Sequence, residues 1–296
     1  MERLVLGTRG SLLARTQSQQ VADALHAATG VQVDLEIIKT RGDQVTDRPL
    51  QQVGGKGLFT KEIEDALLDG RVDIAVHSMK DMPTEGPRGL VIACVPERVD
   101  PRDALIGARL GDLPSGSVVG TGSVRRALQL RRLRPDLEIR GIRGNVDTRI
   151  AKQQEGLYDA IVLAMAGLIR LGRTSVVDQV LEIDEMIPAV GQGALAIQAR
   201  RDDARVLGLL EPIHHENSGL CVSSERAFLE TVSGGCSAPA ACHVQREGLL
   251  LCARGVWAAH EHGASVVAIR RSDPLHALPL GRGLALDLIA AGSADQ

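Results

Sequence analysis

The chain has 296 residues, 44% of them hydrophobic and 24% charged, and a formal net charge of −3. That usage argues for a folded protein with room for two or three domains and against a disordered or membrane-embedded one. One Trp, one Tyr and two Phe are too few to stack along single-stranded nucleic acid, and the charge gives no general pull on polyanions, so neither nucleic acid nor membrane is an expected partner.

The opening Met1-Glu2-Arg3-Leu4-Val5-Leu6-Gly7 carries no apolar leader, and a cytoplasmic location is expected. Leu4 to Thr8 reads as a strand, Ser11 to Ala28 as a helix with an apolar stripe through Leu12, Leu13, Val21, Ala24 and Leu25, and Val33 to Ile38 as the next strand. Val53-Gly54-Gly55-Lys56-Gly57 lacks the P-loop spacing and the Ser or Thr after its lysine, so a lid or anchoring loop is the better reading. A helical pattern follows from Leu58 to Leu68. Then the apolar run Ile74-Ala75-Val76 ends in His77-Ser78-Met79-Lys80-Asp81, stopped by Pro83. Ligands collect beyond the carboxyl ends of strands in open α/β sheets, which makes Lys80 and Asp81 candidates for chemistry; a solvated ion pair is the plain alternative.

Pro96-Glu97-Arg98-Val99-Asp100-Pro101-Arg102 reads as an interdomain crossing. A second α/β unit follows, with strands at Ser117–Gly120, Leu137–Ile142 and Asp159–Ala164 and helices at Ser123–Leu133 and Val146–Gln154. Pro188 to Gly193 reads as the return crossing, and Ala194 to Gln198 as a strand added to one of the sheets. The remainder reads as a helix from Ser218 to Thr231, strands around Leu249–Val256 and Val266–Arg270, and a closing helix at Leu284–Ala290. The expected division is residues 1–98 plus 194–214, residues 99–193, and a small α+β domain over residues 215–296. Such an architecture suits a cleft enzyme or a hinged binding protein.

From Thr121 to Ile150 eight arginines face three acidic residues, so this window is locally basic. Gly120-Thr121-Gly122-Ser123 has Arg125 where a dinucleotide fingerprint needs its third glycine. It offers instead a helix amino terminus flanked by the Thr121 and Ser123 hydroxyls and followed by Arg125 and Arg126, which suits a carboxylate or phosphate. Arg143-Gly144-Asn145-Val146-Asp147-Thr148-Arg149 repeats the design with Asn145 as cap, and Thr8-Arg9-Gly10-Ser11 does so in the first unit. Three such turns point to a ligand with several negative groups, because the guanidinium fork pairs with carboxylates and keeps its charge. An ordinary cap beside surface arginines stays open as an alternative. Five cysteines form neither a disulfide framework nor a zinc pattern, and no metal is expected. Cys236, in the tight Gly234-Gly235-Cys236 turn, is by itself more readily a buried structural thiol than a reactive one.

Taken in order, Gly7-Thr8-Arg9 with Ser11, Lys39-Thr40-Arg41-Gly42-Asp43, Gly54 to Phe59, His77 to Asp81, Arg143-Gly144-Asn145 with Thr148-Arg149, Pro188 to Gly193 and Gly234-Gly235-Cys236 closely resemble the porphobilinogen deaminase family, from Leu4 to about Ala241. The resemblance implies two periplasmic-binding-protein-like lobes with mixed, mostly parallel sheets and a small carboxy-terminal domain. It implies a transferase of porphyrin and haem biosynthesis, a hydroxymethylbilane synthase. Such an enzyme joins four porphobilinogen molecules head to tail, releases ammonia at each step and hydrolyses the linear product from a retained primer. The primer is a covalent dipyrromethane cofactor on a thioether, and matching positions put it on Cys236. The same matching gives Asp81 to catalysis, where a carboxylate would steady positively charged pyrroles. It gives Lys80, Thr121, Ser123, Arg125 and Arg126 to the carboxylates of the cofactor. Arg9, Ser11, Phe59, Arg143, Asn145, Arg149 and Arg170 go to substrate and growing chain. Gly122 departs from the serine common in relatives. A monomer is implied, with transient handover of product to uroporphyrinogen-III synthase. The competing reading is a two-lobed module that binds or senses an organic polyanion and needs no reactive cysteine.

Overall fold

The computed structural model describes residues 3–44, 58–232, 239–260 and 263–294, and the chain divides into two compact units. One unit comprises Met1–Arg98 with Ala194–Gly219, the other Val99–Gly193 with Leu220–Gln296.

The first unit opens with β1 (Arg3–Thr8), α1 (Leu12–Thr29) and β2 (Gln32–Ile37). Ser11 caps α1 by accepting the Ala14 N–H, and Gly30 ends it at φ 74°, where its N–H donates to the His26 carbonyl. Val21 and Leu25 on the inner face of this helix pack with Leu4 and Leu6 of β1 in one buried cluster. A one-turn helix, α2 (Arg41–Gln44), is followed by α3 (Lys61–Leu68), β3 (Ile74–Ser78) and β4 (Leu90–Cys94). The second unit holds β5 (Asp103–Ile106), β6 (Val118–Gly120), α4 (Val124–Leu133), β7 (Glu138–Arg140), α5 (Val146–Gln154), β8 (Ala160–Ala164), α6 (Met165–Arg170) and β9 (Gln179–Leu181). The chain then returns to the first unit as β10 (Leu195–Arg200) and α7 (Ala204–Leu210). After α8 (Glu216–Thr231) come β11 (Ala240–Glu247), β12 (Leu250–Trp257), β13 (Val266–Ser272) and α9 (Ala277–Ala294).

The two large sheets follow one scheme, in the orders β2-β1-β3-β10-β4 and β7-β6-β8-β5-β9. In each, the first three strands are parallel, the fourth is antiparallel to both of its neighbours, and the fifth resumes the first direction. The fold is therefore α/β with mixed, mostly parallel sheets, as expected. The antiparallel member is in each case the strand that directly follows a crossing between units: β5 after the outward one, β10 after the return. An antiparallel strand starts where its parallel neighbours end, so residues opening β5 and β10 share the carboxyl edge where the turns lie. The third sheet, β11-β12-β13, is an antiparallel meander covered by α9. Its Ala241 and Val256 pack with Leu128 of α4 and Ile187 inside the second unit.

Most departures from the sequence reading are short elements. β4, β5, β9, α6 and α7 carry too few residues to show a period, and β11, Ala240–Glu247, is absent from the sequence reading. The helix expected at Leu284–Ala290 runs from Ala277 to Ala294, through glycines that read as breakers. They serve close packing: a Cβ at Gly281 would collide with the Ser224 carbonyl, and one at Gly283 would meet the Arg270 guanidinium at 2.6 Å. Among the described residues no helix is long and apolar enough to cross a membrane, and no group of three or more His, Cys, Asp or Glu side chains could hold a metal ion.

Candidate active site

In the first unit β1 and β3 are parallel neighbours, with Leu6 opposite Ile74, so Arg9 and the Lys80–Asp81 pair emerge at one sheet edge. β3 runs into a single 3-10 turn, Met79–Asp81. The Met79 N–H donates to the Ala194 carbonyl at 3.0 Å, and the Met82 N–H closes the turn on the Met79 carbonyl at 3.1 Å. Met79 and Met82 are buried, Lys80 is half-buried and Asp81 is exposed. Two apolar anchors thus hold the turn down while the carboxylate between them projects. Gln17 of α1 donates to the Ser78 hydroxyl at 3.0 Å, which fixes the strand end laterally. The Arg9 guanidinium lies 4.0 Å above the Phe59 ring, a cation–π contact. That ring rests on Gly42, where any side chain would collide with it. The Ser11 oxygen is engaged as the cap of α1.

Behind this edge runs a chain of polar side chains that sequence reading did not find. The His77 Nε2 and the Gln198 Oε1 are 3.2 Å apart, Gln198 Nε2 donates to Glu64 Oε1 at 3.1 Å, and the Thr60 hydroxyl donates to Glu64 Oε2 at 3.4 Å. All four residues are buried. Burial pulls the His77 pKa down to about 4; the Gln198 hydrogen bond opposes this and the Arg9 charge adds to it. His77 is therefore neutral at physiological pH.

In the second unit β6, β7 and β8 are parallel, so the three following segments deliver their polar residues to one edge. Ser123 caps α4 by accepting the Arg126 N–H, and its own N–H donates to the Thr121 hydroxyl at 3.2 Å. Asn145 caps α5, its side-chain oxygen accepting from both the N–H and the hydroxyl of Thr148 at 2.9 and 2.8 Å. Arg149 donates through Nε to the Gly144 carbonyl at 2.8 Å. Burial first, then repulsion from Arg126 and Arg143, holds its pKa below the usual arginine range. Arg170, closing α6, donates to the Gly193 carbonyl at 2.8 Å, and burial brings its pKa down to about 10. It stays charged at neutral pH. At Gly122 an added Cβ would sit 3.1 Å from the Ile142 carbonyl, so a serine there needs a small shift of the neighbour.

Arg125 and Arg126, assigned by the resemblance to the carboxylates of the cofactor, are buried rather than surface groups of an ordinary cap, and both pair with Asp103, the first residue of β5. Burial pushes the Asp103 carboxyl up, but the two guanidinium charges more than offset this and hold it well below the usual carboxylate range. Sequence reading missed Asp103; the available signal was an acidic residue opening the apolar run Ala104-Leu105-Ile106. One buried carboxylate against the two guanidinium groups of Arg125 and Arg126 leaves surplus positive charge, and Arg143 and Arg149 follow the neighbouring strand at the same edge. The buried Nε atoms of Arg125 and Arg170 also have no hydrogen-bond partner among the described residues. A group bearing several carboxylates fits such an edge. Cys236 and the Gly54 to Gly57 loop lie outside the described residues.

Comparison with known proteins carries the assignment further. Residues 4–208 match the family described as "Porphobilinogen deaminase, dipyromethane cofactor binding domain". The chain is 48% identical over 295 residues to the porphobilinogen deaminase of a Roseiflexus species, covering 98% of this chain and 97% of that one. It is 45% identical to that of Syntrophobacter fumaroxidans over 97% and 94%, and 47% identical to that of Paracoccus denitrificans over 98% and 95%. Among solved structures it is similar to a putative methionine-binding lipoprotein from Bacillus subtilis at 14% identity and a TM-score of 0.43, over 73% of this chain and 92% of that one. The matches at 45 to 48% identity run almost from end to end of this chain and its relatives, and on them the chain belongs to the porphobilinogen deaminase family.

Proposed function

We propose that the chain acts as a hydroxymethylbilane synthase, a transferase that condenses four porphobilinogen molecules with release of ammonia in tetrapyrrole biosynthesis. The observation that carries this is the family match across both sheets, 4–208, which spans the exposed carboxylate of the first and the guanidinium-rich edge of the second. The competing reading, a module that only binds a polyanion, is not favoured.

A bound dipyrromethane supplies a pyrrole with a free α-carbon from which the product grows. The chain's own residues do the rest. When ammonia leaves porphobilinogen, its pyrrole becomes cationic, and Asp81 offers a fixed negative charge to it. Opposite charges about 4 Å apart interact by about 4 kcal/mol at an effective dielectric near 20, which is roughly a thousandfold in rate if felt mainly in the transition state. Every porphobilinogen brings an acetate and a propionate. Arg9, Ser11, Phe59, Arg143, Asn145, Arg149 and Arg170 are proposed to hold those of substrate and growing chain, and Lys80, Thr121, Ser123, Arg125 and Arg126 those of the cofactor, with Cys236 as its attachment point. The cap bonds of Ser11, Ser123 and Asn145 support these roles indirectly, since they leave the following N–H groups oriented.

The three-part division, 1–98 with 194–214, 99–193 and 215–296, belongs to the same proposal, with the last part carrying Cys236. So do a monomeric state, work in the cytoplasm and handover of the open tetrapyrrole to uroporphyrinogen-III synthase. Incubation with porphobilinogen, with ammonia and hydroxymethylbilane measured together, tests the function. Four ammonia molecules per product and an intact mass exceeding the sequence mass by a dipyrromethane are expected. Turnover by unmodified protein would contradict the reading.

A further inference from the structure

Asp103 is a fully buried carboxylate of the second unit with three side-chain partners, and the family reading gives it no role. It has no exposed surface, so it cannot meet a ligand. Its Oδ1 accepts from Arg126 Nε and Nη2 at 3.1 and 2.7 Å and from Gln192 Nε2 at 2.9 Å, while Oδ2 lies 2.8 Å from Arg125 Nη1. Both arginines are also tied to backbone carbonyls. Arg126 Nη1 donates to the Val162 carbonyl at 2.9 Å and Arg125 Nη1 to the Ile187 carbonyl at 2.8 Å. Gln192 also donates to the Pro101 carbonyl at 2.7 Å, so the outward and return crossings meet at this carboxylate. Gly193 makes that approach possible: at φ 89° it lies against the Val99 carbonyl, where a Cβ would come within 2.5 Å.

A buried ion pair is a poor way to gain stability, because desolvation consumes most of the Coulomb attraction and apolar residues of similar volume often do as well. What a buried carboxylate can supply is orientation. Adjacent guanidinium groups repel each other and, without an anion between them, spread into different rotamers.

We infer that Asp103 is a positioning residue: it sets Arg125 and Arg126 as one rigid anion-binding unit and, through Gln192, ties that unit to the crossing segments. The inference rests on the proposed function, because it takes the anion to be a carboxylate of the dipyrromethane. Asp103 then acts through the arginines alone, and its loss should have no effect beyond theirs.

The test compares the full chain with Asp103→Asn, Arg126→Leu and the double variant, reading the dipyrromethane-bearing fraction by intact mass and folding by thermal unfolding of the same samples. Asp103→Asn is expected to unfold cooperatively yet carry the adduct at a level lower by about tenfold or more, as when groups that orient metal ligands are removed. The double variant is expected to lose less loading than the two single losses combined, because Arg126 is one of the groups Asp103 acts through. A folded, fully loaded Asp103→Asn overturns the inference, and so do losses that add in the double variant. Should Asp103→Asn not fold, Gln192→Met decides, because it leaves both ion pairs in place: reduced loading supports the tie to the crossings, full loading overturns it. Unmodified wild-type protein would instead sink the functional reading itself.

Discussion

The two large sheets share a strand scheme but treat charge in opposite ways. The first leaves its carboxylate, Asp81, exposed on a turn pinned by methionines and buries a neutral histidine linked to Gln198 and Glu64. The second buries its carboxylate, Asp103, beneath two arginines and carries Arg143 and Arg149 at the same edge. The same topology thus supports two arrangements of charge. On the proposed function, a group that responds to charge developing on a substrate has no ion-pair partner among the described residues, whereas groups that hold permanent anions are fixed in place by one.

The sharpest way to break this contrast is Asp81→Asn. It should keep the adduct and the melting temperature but lose turnover by about a thousandfold, some 4 kcal/mol, in steady-state assays with porphobilinogen; a variant slowed less than tenfold would remove Asp81 from the chemistry. Arg126→Leu attacks the second sheet. Leaving Asp103 with Arg125 and Gln192 only should lower stability by about 3 kcal/mol, toward the low end for a broken buried pair, and impair cofactor assembly, as read by denaturant unfolding and intact mass. A stable, normally loaded variant would show that Arg126 is dispensable.

The buried histidine gives an acid limb to the first unit. Its folded pKa of about 4 lies below the reference value of 6.5, so the unfolded chain binds the extra proton first and stability falls as pH drops from about 6.5 toward 4. The loss from this one group is about 2 kcal/mol by about pH 5, and His77→Gln should flatten that limb in unfolding measured across pH. An unchanged limb would mean that His77 is not what titrates. The smallest effect is expected from Phe59→Leu, which removes the cation–π platform under Arg9, worth about 1 kcal/mol. The KM for porphobilinogen should rise severalfold at unchanged kcat, and a fall in kcat alone would assign Phe59 a different part.

What could be read from the sequence was what is local in it. The helix at Val146–Gln154 and the strand end carrying Lys80 and Asp81 follow from an apolar run, a capping residue and a stop, all within a dozen positions. The capped turns at Ser11, Ser123 and Asn145 were legible for the same reason. Asp103 was not, since its partners lie 22, 23 and 89 residues further on, at Arg125, Arg126 and Gln192. The link from His77 to Gln198 spans 121 residues and was equally hidden. β5 and β9 have four and three residues, too short for alternation to register, and the glycines of α9 signal close helix packing only once α8 and Arg270 are seen against them.

The place of β10 bears on how the protein is made. It pairs with both β3 and β4, yet it follows them by about a hundred residues, with the whole of Val99–Gly193 in between. During synthesis those two strands must wait, each with a bare edge, while the sheet containing β5 to β9 already has every strand it needs from one unbroken stretch of chain. The part that emerges first from the ribosome is therefore the part that can be finished only later, and a polypeptide stopped at Gly193 would leave β3 and β4 without the strand that joins them.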